Sequence, residues 1–397
     1  MDNLISGLSE VSVNDDDNIT VYNFKQGELG NCGMISSMST LAMNKDLYNK
    51  IVPRGQNFDS KNSSNVVFKL YKLGKRYKVM VDKTLKTSNN SLIYCKSSTD
   101  NLVGPLLEKA LVELHFDGNY ESAIGIPASF VMSCLTKNFF EELYFLANEN
   151  FPDINELISY GLKTKSQMTV NFKDIQASQC NLKTCHSYSL LDREKSENNL
   201  VKLYNPHGKI VSISKKDFLK TIKVFEICYF GNKIFGIPEI KKKVNFVHKW
   251  ATLKSNEMIH FVDCKLDVTE DETEILINVV LKKFSENIIP TIFVINTYEN
   301  TIIKSSLSVG KVNSKLKYFH KSSLRKKLMR GKYKIVVVMS KWDTLESCEE
   351  CRKYLENNGN EFLFRLAASE HCLVEKSSEK ETDEVKGFLY DWRSRLQ

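Results

Sequence analysis

The chain has 397 residues, 42% hydrophobic and 26% charged, ordinary globular usage that allows two or three domains at roughly 150 residues each. Glycine (17) and proline (7) are too scarce for a collagen-like, low-complexity or long-linker protein, and no apolar run approaches the ~20 residues of a membrane helix. The balance of 56 basic against 48 acidic residues gives +8, a mild excess that by itself names no nucleic-acid or lipid partner.

The first 20 residues are acidic and polar and read as a flexible lead-in, without the basic and apolar regions of a secretory signal. Residues 32–44 place Ile35, Met38, Leu41 and Ala42 at helical spacing, with Asn31 before them as an N-cap. Strand-like runs follow at 66–71 and 77–81, then a strong amphipathic helix over 106–116 and helical patterns at 139–148 and 154–161. The period then changes. Strands are expected at 168–172, 187–191, 200–204 and 223–228, interrupted by a short helix at 215–222. Beyond residue 240, runs at 244–253, 258–264, 274–281, 289–296, 302–306, 334–339 and 361–366 suggest a β-sandwich. The fold class is therefore α+β over the first 236 residues and all-β after them. The charge-rich end from 375 reads as a tail or terminal helix.

Ten cysteines at irregular spacing, with no secretory signal, suggest free thiols in a reducing, cytoplasmic setting. Cys32 differs from the others in context. It follows a turn with two glycines, Gln26-Gly27-Glu28-Leu29-Gly30-Asn31, and opens a helix whose positive end favours a thiolate. Such a nucleophile needs a histidine base held by an Asn or Asp. His186 starts one expected strand and Asn205 ends the next, so antiparallel pairing would set them side by side. Gln26 could offer its amide to an oxyanion together with the Cys32 backbone N–H. On spacing alone a buried structural Cys and an ordinary strand His remain the commoner reading.

The segment QGELGNCGMISSMSTLAMNKDLYNKIVP resembles the nucleophile segment of calpains, Q-G-x-x-G-D-C-W with a following helix and R-V-V-P. CHSYSLLD is similar to their G-H-A-Y-S-V-T, and YNPHG to their R-N-P-W-G. YKVMVDKTLKT, LLEKALVELHFDGNYESAIG and DFLKTIKVFEIC have calpain counterparts in the same order. The resemblance spans roughly 22–230; more weakly, MRGKYKIVVVMSKW and NEFLFRLAASE are similar to the ends of the calpain C2-like sandwich. It implies a papain-like two-subdomain core, with 21–133 carrying the nucleophile helix and 134–236 the His/Asn strands. A C2-like sandwich would follow at 237–372, between a lead-in at 1–20 and a charged tail at 373–397. It also implies limited endoproteolysis of protein substrates, with Cys32 as nucleophile, His186 as base then acid, Asn205 orienting it and Gln26 as oxyanion donor.

The departures from the family pattern matter. Gly33 stands where calpains carry Trp, Asn31 where they carry Asp, and His207 where the cleft tryptophan stands. About thirty-five residues that follow that motif in the family are missing. Two family calcium carboxylates align with Asn23 and Asn101, and the second site draws largely on the missing loop, so weak or no calcium dependence is expected. No EF-hand loop occurs in the sequence, and no other cofactor is implied. The absence of both cleft tryptophans leaves a catalytically inactive interaction scaffold as the alternative. Cys348-x-x-Cys351 with His371-Cys372 lacks the two paired halves of a structural zinc site. Cys185 beside His186 reads as small-for-small. The basic clusters 241–243 and 325–334 read as solvated faces; weak contact of the sandwich with anionic lipid is compatible with them, and no nucleic-acid partner is expected.

Overall fold

The computed structural model describes residues 19–59, 65–145, 153–173, 182–193, 200–231, 233–237, 239–249, 260–283, 288–299, 301–312, 315–320, 323–341, 357 and 361–376. The lead-in before residue 19, Cys348, Cys351 and the tail beyond residue 376 lie outside them. In chain order the first half carries α1 (Cys32–Ser39), α2 (Lys45–Ile51), a hairpin of β1 (Val66–Lys72) and β2 (Lys75–Val81), and the two-residue strands β3 (Thr87–Ser88) and β4 (Ser91–Leu92). Then come α3 (Val103–Phe116), α4 (Ala128–Leu135), β5 (Phe140–Tyr144), α5 (Ile154–Thr164), β6 (Gln167–Phe172) and β7 (Ser187–Arg193). β8 (Leu200–Asn205), β9 (Lys209–Ser214), α6 (Lys215–Thr221) and β10 (Ile222–Cys228) complete this α+β half.

The described residues form two compact units. The first gathers those up to Leu70 with Tyr77–Val131 and Gln167–Thr221; the second gathers Tyr71–Arg76, Met132–Ser166 and those from Ile222 onward.

In the first unit β6, β7, β8 and β9 run antiparallel in that order, with registers Thr169↔Ser189, Ser189↔Tyr204 and Tyr204↔Ile210. Helix α1 lies against β7, and its composition explains why. Met34, Ile35 and Met38 are buried, but so are Ser36, Ser37 and Ser39, small residues that let backbone approach backbone. Their hydroxyls are satisfied: Ser36 Oγ and Ser187 Oγ are 2.8 Å apart, Ser189 Oγ donates to Ser36 O at 2.9 Å, and Ser37 Oγ donates to Gly33 O at 2.8 Å. Buried polar groups with partners carry little penalty. The single helix expected over 32–44 is shorter than its periodicity suggests. It ends at Ser39, tightens into a 3-10 turn over Thr40–Met43, and α2 restarts with Asn44 Oδ1 accepting from Leu47 N at 3.0 Å.

The segment 139–148, expected to be helical, contains strand β5 instead. β5 pairs antiparallel with β10 through Glu142↔Glu226 in the second unit. Phe140, Glu141, Glu142 and Leu143 are all buried, so no alternation marks the strand, and two glutamates in an apolar run imitate a helical period.

The rest of the second unit is all-β. Its strands are β11 (Lys242–Lys249), β12 (His260–Val268), β13 (Thr273–Leu281), β14 (Ile288–Asn296), β15 (Thr301–Ser305) and β16 (Leu307–Val312). They continue as β17 (Lys315–His320), β18 (Ser323–Leu328), β19 (Gly331–Lys341), β20 (Glu361–Ala368) and β21 (Cys372–Lys376). One sheet has the order β11-β20-β13-β18 and the other β15-β14-β19-β12-β21. Alternate residues of both sheets, among them Ile275, Ile277 and Val279 of β13 and Ile335, Val337 and Met339 of β19, share one apolar core. This is the sandwich.

Strands β16, β17, β18 and β21 escape the sequence reading; β17 and β18 are rich in Lys and Arg, which hides alternation. Arg325, read as part of a solvated face, is instead part-buried and ion-paired. Its Nε donates to Glu141 Oε2 at 2.7 Å, its Nη2 to Glu141 Oε1, and its Nη1 to Glu274 Oε1 at 3.2 Å. Tyr229 Oη donates to the same carboxylate. Beside this network Asn278 clamps the β5 backbone: Phe140 N donates to Oδ1 at 3.0 Å and Nδ2 donates to Phe140 O at 2.7 Å. A strand that would otherwise offer open backbone groups is thereby satisfied.

Candidate active site

The candidate residues all lie in the first unit. Cys32 is the first residue of α1 and is partly exposed, where the unpaired N–H groups of a helix start favour a negative sulfur. Asn31 occupies the N-cap position but makes no side-chain capping bond. Its Nδ2 donates instead to Glu108 Oε1 at 2.7 Å, while Glu108 Oε2 accepts from Cys95 N at 2.8 Å. Burial pushes the Glu108 carboxyl up to about 7, against the pull of these two hydrogen bonds. Sequence reasoning passed over Glu108, although a glutamate on the apolar stripe of α3 between Leu107 and Ala110 is itself the signal.

Two glycines fit the turn and helix start against their neighbours. A Cβ on Gly27 would lie 2.0 Å from Tyr94 O, and one on Gly33 would lie 2.0 Å from Ile126 O. The 126–128 backbone therefore fills the space that any side chain at 33 would need. Gly33→Ala is expected to destabilise the protein by about 2 kcal/mol or more, because backbone must move; a shifted midpoint in denaturant unfolding would register it, and an unchanged midpoint would contradict the packing. Gln26 sits just upstream. Its Nε2 donates to Leu29 O at 2.7 Å, its Oε1 is buried without a partner, and its backbone N donates to Pro206 O at 2.7 Å. The last bond ties the turn before Cys32 to the β8–β9 turn.

That turn carries Asn205. Gly208, at φ +92°, closes it in a conformation that favours glycine. His186 immediately precedes β7, and its Nε2 lies 3.0 Å from Asn205 Oδ1. Asn205 Oδ1 also accepts the His207 backbone N–H at 2.9 Å, which fixes the amide orientation. An oxygen facing Nε2 can only accept, so Nε2 carries the proton and Nδ1 presents a lone pair. The expected pairing of His186 with Asn205 is therefore present in the structure, and α1 is pinned by Ser36 to Ser187, the residue after His186.

Aromatic groups enclose the His186 ring. His207 stacks on it with centroids 4.9 Å apart and planes 5° from parallel, and Tyr188 meets it edge-on at 5.1 Å. Burial lowers His186 to about 4, Asn205 opposes the shift, and the neighbouring His207 and Lys183 add to it. His207 is also held below the ordinary imidazole range, by burial first and then by Lys183 and Lys25. Burial raises the Tyr188 hydroxyl, and the Lys183 backbone N–H that it accepts opposes the shift. At neutral pH His186 is thus an uncharged base.

The two positions that align with calcium carboxylates are already occupied by protein hydrogen bonds. Asn23 is buried; its Oδ1 accepts from Thr20 N at 2.8 Å and its Nδ2 donates to Thr99 Oγ1 at 2.7 Å and Ser97 Oγ at 3.3 Å. Asn101 Oδ1 accepts from Val103 N at 2.9 Å. A hard cation needs charged or free oxygens. Here two amides have their oxygens engaged by N–H groups, and one turns its NH₂ toward hydroxyls, a poor fit to calcium.

Residues 8–215, 208 of the 397, match the family described as calpain family cysteine protease. Calpain-1 catalytic subunit of Rattus norvegicus is 27% identical over 206 residues, 49% of this chain and 28% of that protein. Calpain-9 of Mus musculus is 27% identical over 197 residues (47% and 28%), and Calpain-B of Drosophila melanogaster 34% over 105 residues (26% and 11%). The matched segments thus span under a third of each of these relatives.

Proposed function

Because the chain belongs to the calpain family of cysteine proteases, we propose that it is an endopeptidase that makes limited cuts in protein substrates through Cys32, His186 and Asn205. The observation that carries this reading is the His186–Asn205 hydrogen bond with its fixed tautomer, beside a helix that starts at Cys32. His186 Nδ1 takes the Cys32 thiol proton, and the thiolate adds to the scissile carbonyl carbon. The oxyanion is met by the Cys32 backbone N–H and by the Gln26 Nε2–H that Leu29 does not use. As the tetrahedral adduct collapses, the C–N bond breaks and His186 returns the proton to the leaving amine. Water, deprotonated by the same imidazole, then adds to the thioester and releases the acid with the Cys32 thiol restored.

Such a thiolate requires reducing surroundings, which suits a cytoplasmic site of action. Among the described residues no helix is long and apolar enough to cross a membrane, and the described cysteines, Cys32 included, are not joined in disulfides. The Asn23 network supports activity with little or no calcium dependence, since hydrogen bonds take the place of cation ligands. The test is cleavage of an unfolded protein substrate by purified enzyme. Activity lost in Cys32→Ala and changed less than twofold by a calcium chelator is expected. Equal cleavage by Cys32→Ala would refute the nucleophile, and steep activation by micromolar calcium would refute the calcium reading.

A further inference from the structure

One buried carboxylate joins the two strips of backbone that shape the nucleophile turn. The start of the turn pairs with residues 93–96: Lys25 N donates to Lys96 O at 2.8 Å, Lys96 N to Lys25 O at 2.7 Å, and Glu28 N to Ile93 O at 2.9 Å. From Leu29 to Asn31 the chain then leads into α1. Glu108, in the middle of α3, spans the two strips. Its Oε1 accepts from Asn31 Nδ2 at 2.7 Å and its Oε2 from Cys95 N at 2.8 Å. One oxygen thus holds the residue before Cys32, and the other holds the strip with which the turn pairs. Leu107 and Leu111, on either side of Glu108 in α3, are buried, so the carboxylate has little room to follow a shifted turn. Asn31 gives its side chain to this bridge and makes no capping bond to α1, so its amide oxygen does not compete for the first N–H groups of the helix. Among the described residues no ion pair reaches Glu108, and the two N–H donors are what offsets its burial.

We propose that Glu108 is a positioning residue: by bridging Asn31 to Cys95 it holds the turn 26–32, and with it the sulfur and both oxyanion donors, in the geometry that addition to the carbonyl requires. This rests on the peptidase reading above and extends its machinery to a side chain that touches no reacting atom. Such placement matters steeply, since a catalytic group displaced by about 1 Å can cost on the order of 10²-fold in rate. The bridge needs two acceptors at 108 facing two donors. In Glu108→Gln one acceptor becomes an NH₂ that faces a donor, and one arm breaks. In Glu108→Gln/Asn31→Asp complementarity returns, because the introduced NH₂ donates to the introduced carboxylate while the remaining amide oxygen still accepts from Cys95 N.

Steady-state kinetics on a peptide substrate, with hydrogen–deuterium exchange of the same proteins, test the bridge. Glu108→Gln is expected to lower kcat about 30-fold with KM changed less than about threefold, and the double variant to recover to within about fivefold of the wild type. Exchange over residues 25–34 is expected to quicken about tenfold in Glu108→Gln and to return in the double variant, while exchange over 105–116 stays within about twofold. A glutamate that served only the packing of α3 would loosen α3 itself, and the swap would not mend it. Unchanged kcat in Glu108→Gln, a loss that the double variant does not recover, or exchange that rises over α3 as much as over the turn would overturn the proposal. If the wild type cuts nothing, the peptidase reading fails by itself and exchange decides the bridge: quickening over 25–34 that the swap reverses supports it, and unchanged exchange there refutes it.

Discussion

Replacing His186 with Ala is expected to lower kcat/KM on a peptide substrate by on the order of 10⁴-fold or more, with little change in stability. The size follows from its two roles, as base toward Cys32 and as acid toward the leaving amine, neither of which another described side chain at the site is placed to fill. Asn205→Ala should cost less, because Nε2–H would lose its acceptor while the imidazole remained. The pH profile separates these effects. Burial holds His186 at about 4, so free imidazole persists well below the ordinary histidine range, and acid inactivation of the wild type reflects protonation of the buried ring or of the coupled thiolate pair. Asn205→Ala removes the group that opposes this shift, so the apparent acid limb should move to lower pH. A limb that moved upward would contradict the assigned orientation.

The second large effect concerns stability. Arg325→Met is expected to destabilise the second unit by about 3–5 kcal/mol, the usual consequence of leaving one partner of a buried ion pair uncompensated. Glu141 is buried at 3% exposure and has Arg325 and Tyr229 as its hydrogen-bond partners, and Arg325 also reaches Glu274. The field of Glu141 holds the Arg325 guanidinium above its ordinary range despite burial. Glu141→Gln in the Arg325→Met background should recover part of the loss, since the stranded charge is then removed. Denaturant unfolding of the single and double variants measures this. Strict additivity would show that the two side chains act independently.

On the residues alone the site was a candidate among others, and the ordered calpain-like motifs are what singled it out. A two-glycine turn feeding a helix sets Cys32 apart from the other cysteines, and two short β-rich runs joined by one connection allow His186 and Asn205 to be neighbours, which the structure shows. What escaped depends on distant partners. Glu108 is an ordinary helical glutamate until α3 packs and brings it to Asn31 and Cys95. Arg325 sits in a run of basic residues, and only the approach of Glu141, 184 positions earlier, draws it into a part-buried ion pair. The helical expectation for β5 fails for the same reason, because Glu141 and Glu142 are both buried and Glu141 meets Arg325 and Tyr229. His207 was legible as a substitution, but its parallel stack on His186 was not, since ring geometry depends on the turn that carries it. Asn31 occupied the expected cap position and used its side chain elsewhere.

The central claim is that Cys32 is an activated thiol served by His186. An epoxysuccinyl peptide, applied near pH 6 with labelled sites read by peptide mapping, tests it most directly. The exposed Cys185 serves as an internal reference. Cys32 is expected to react at least 100-fold faster than Cys185, and the difference should vanish in His186→Ala. Equal labelling of the two thiols, or preferential labelling of Cys32 that persists without His186, would contradict the account.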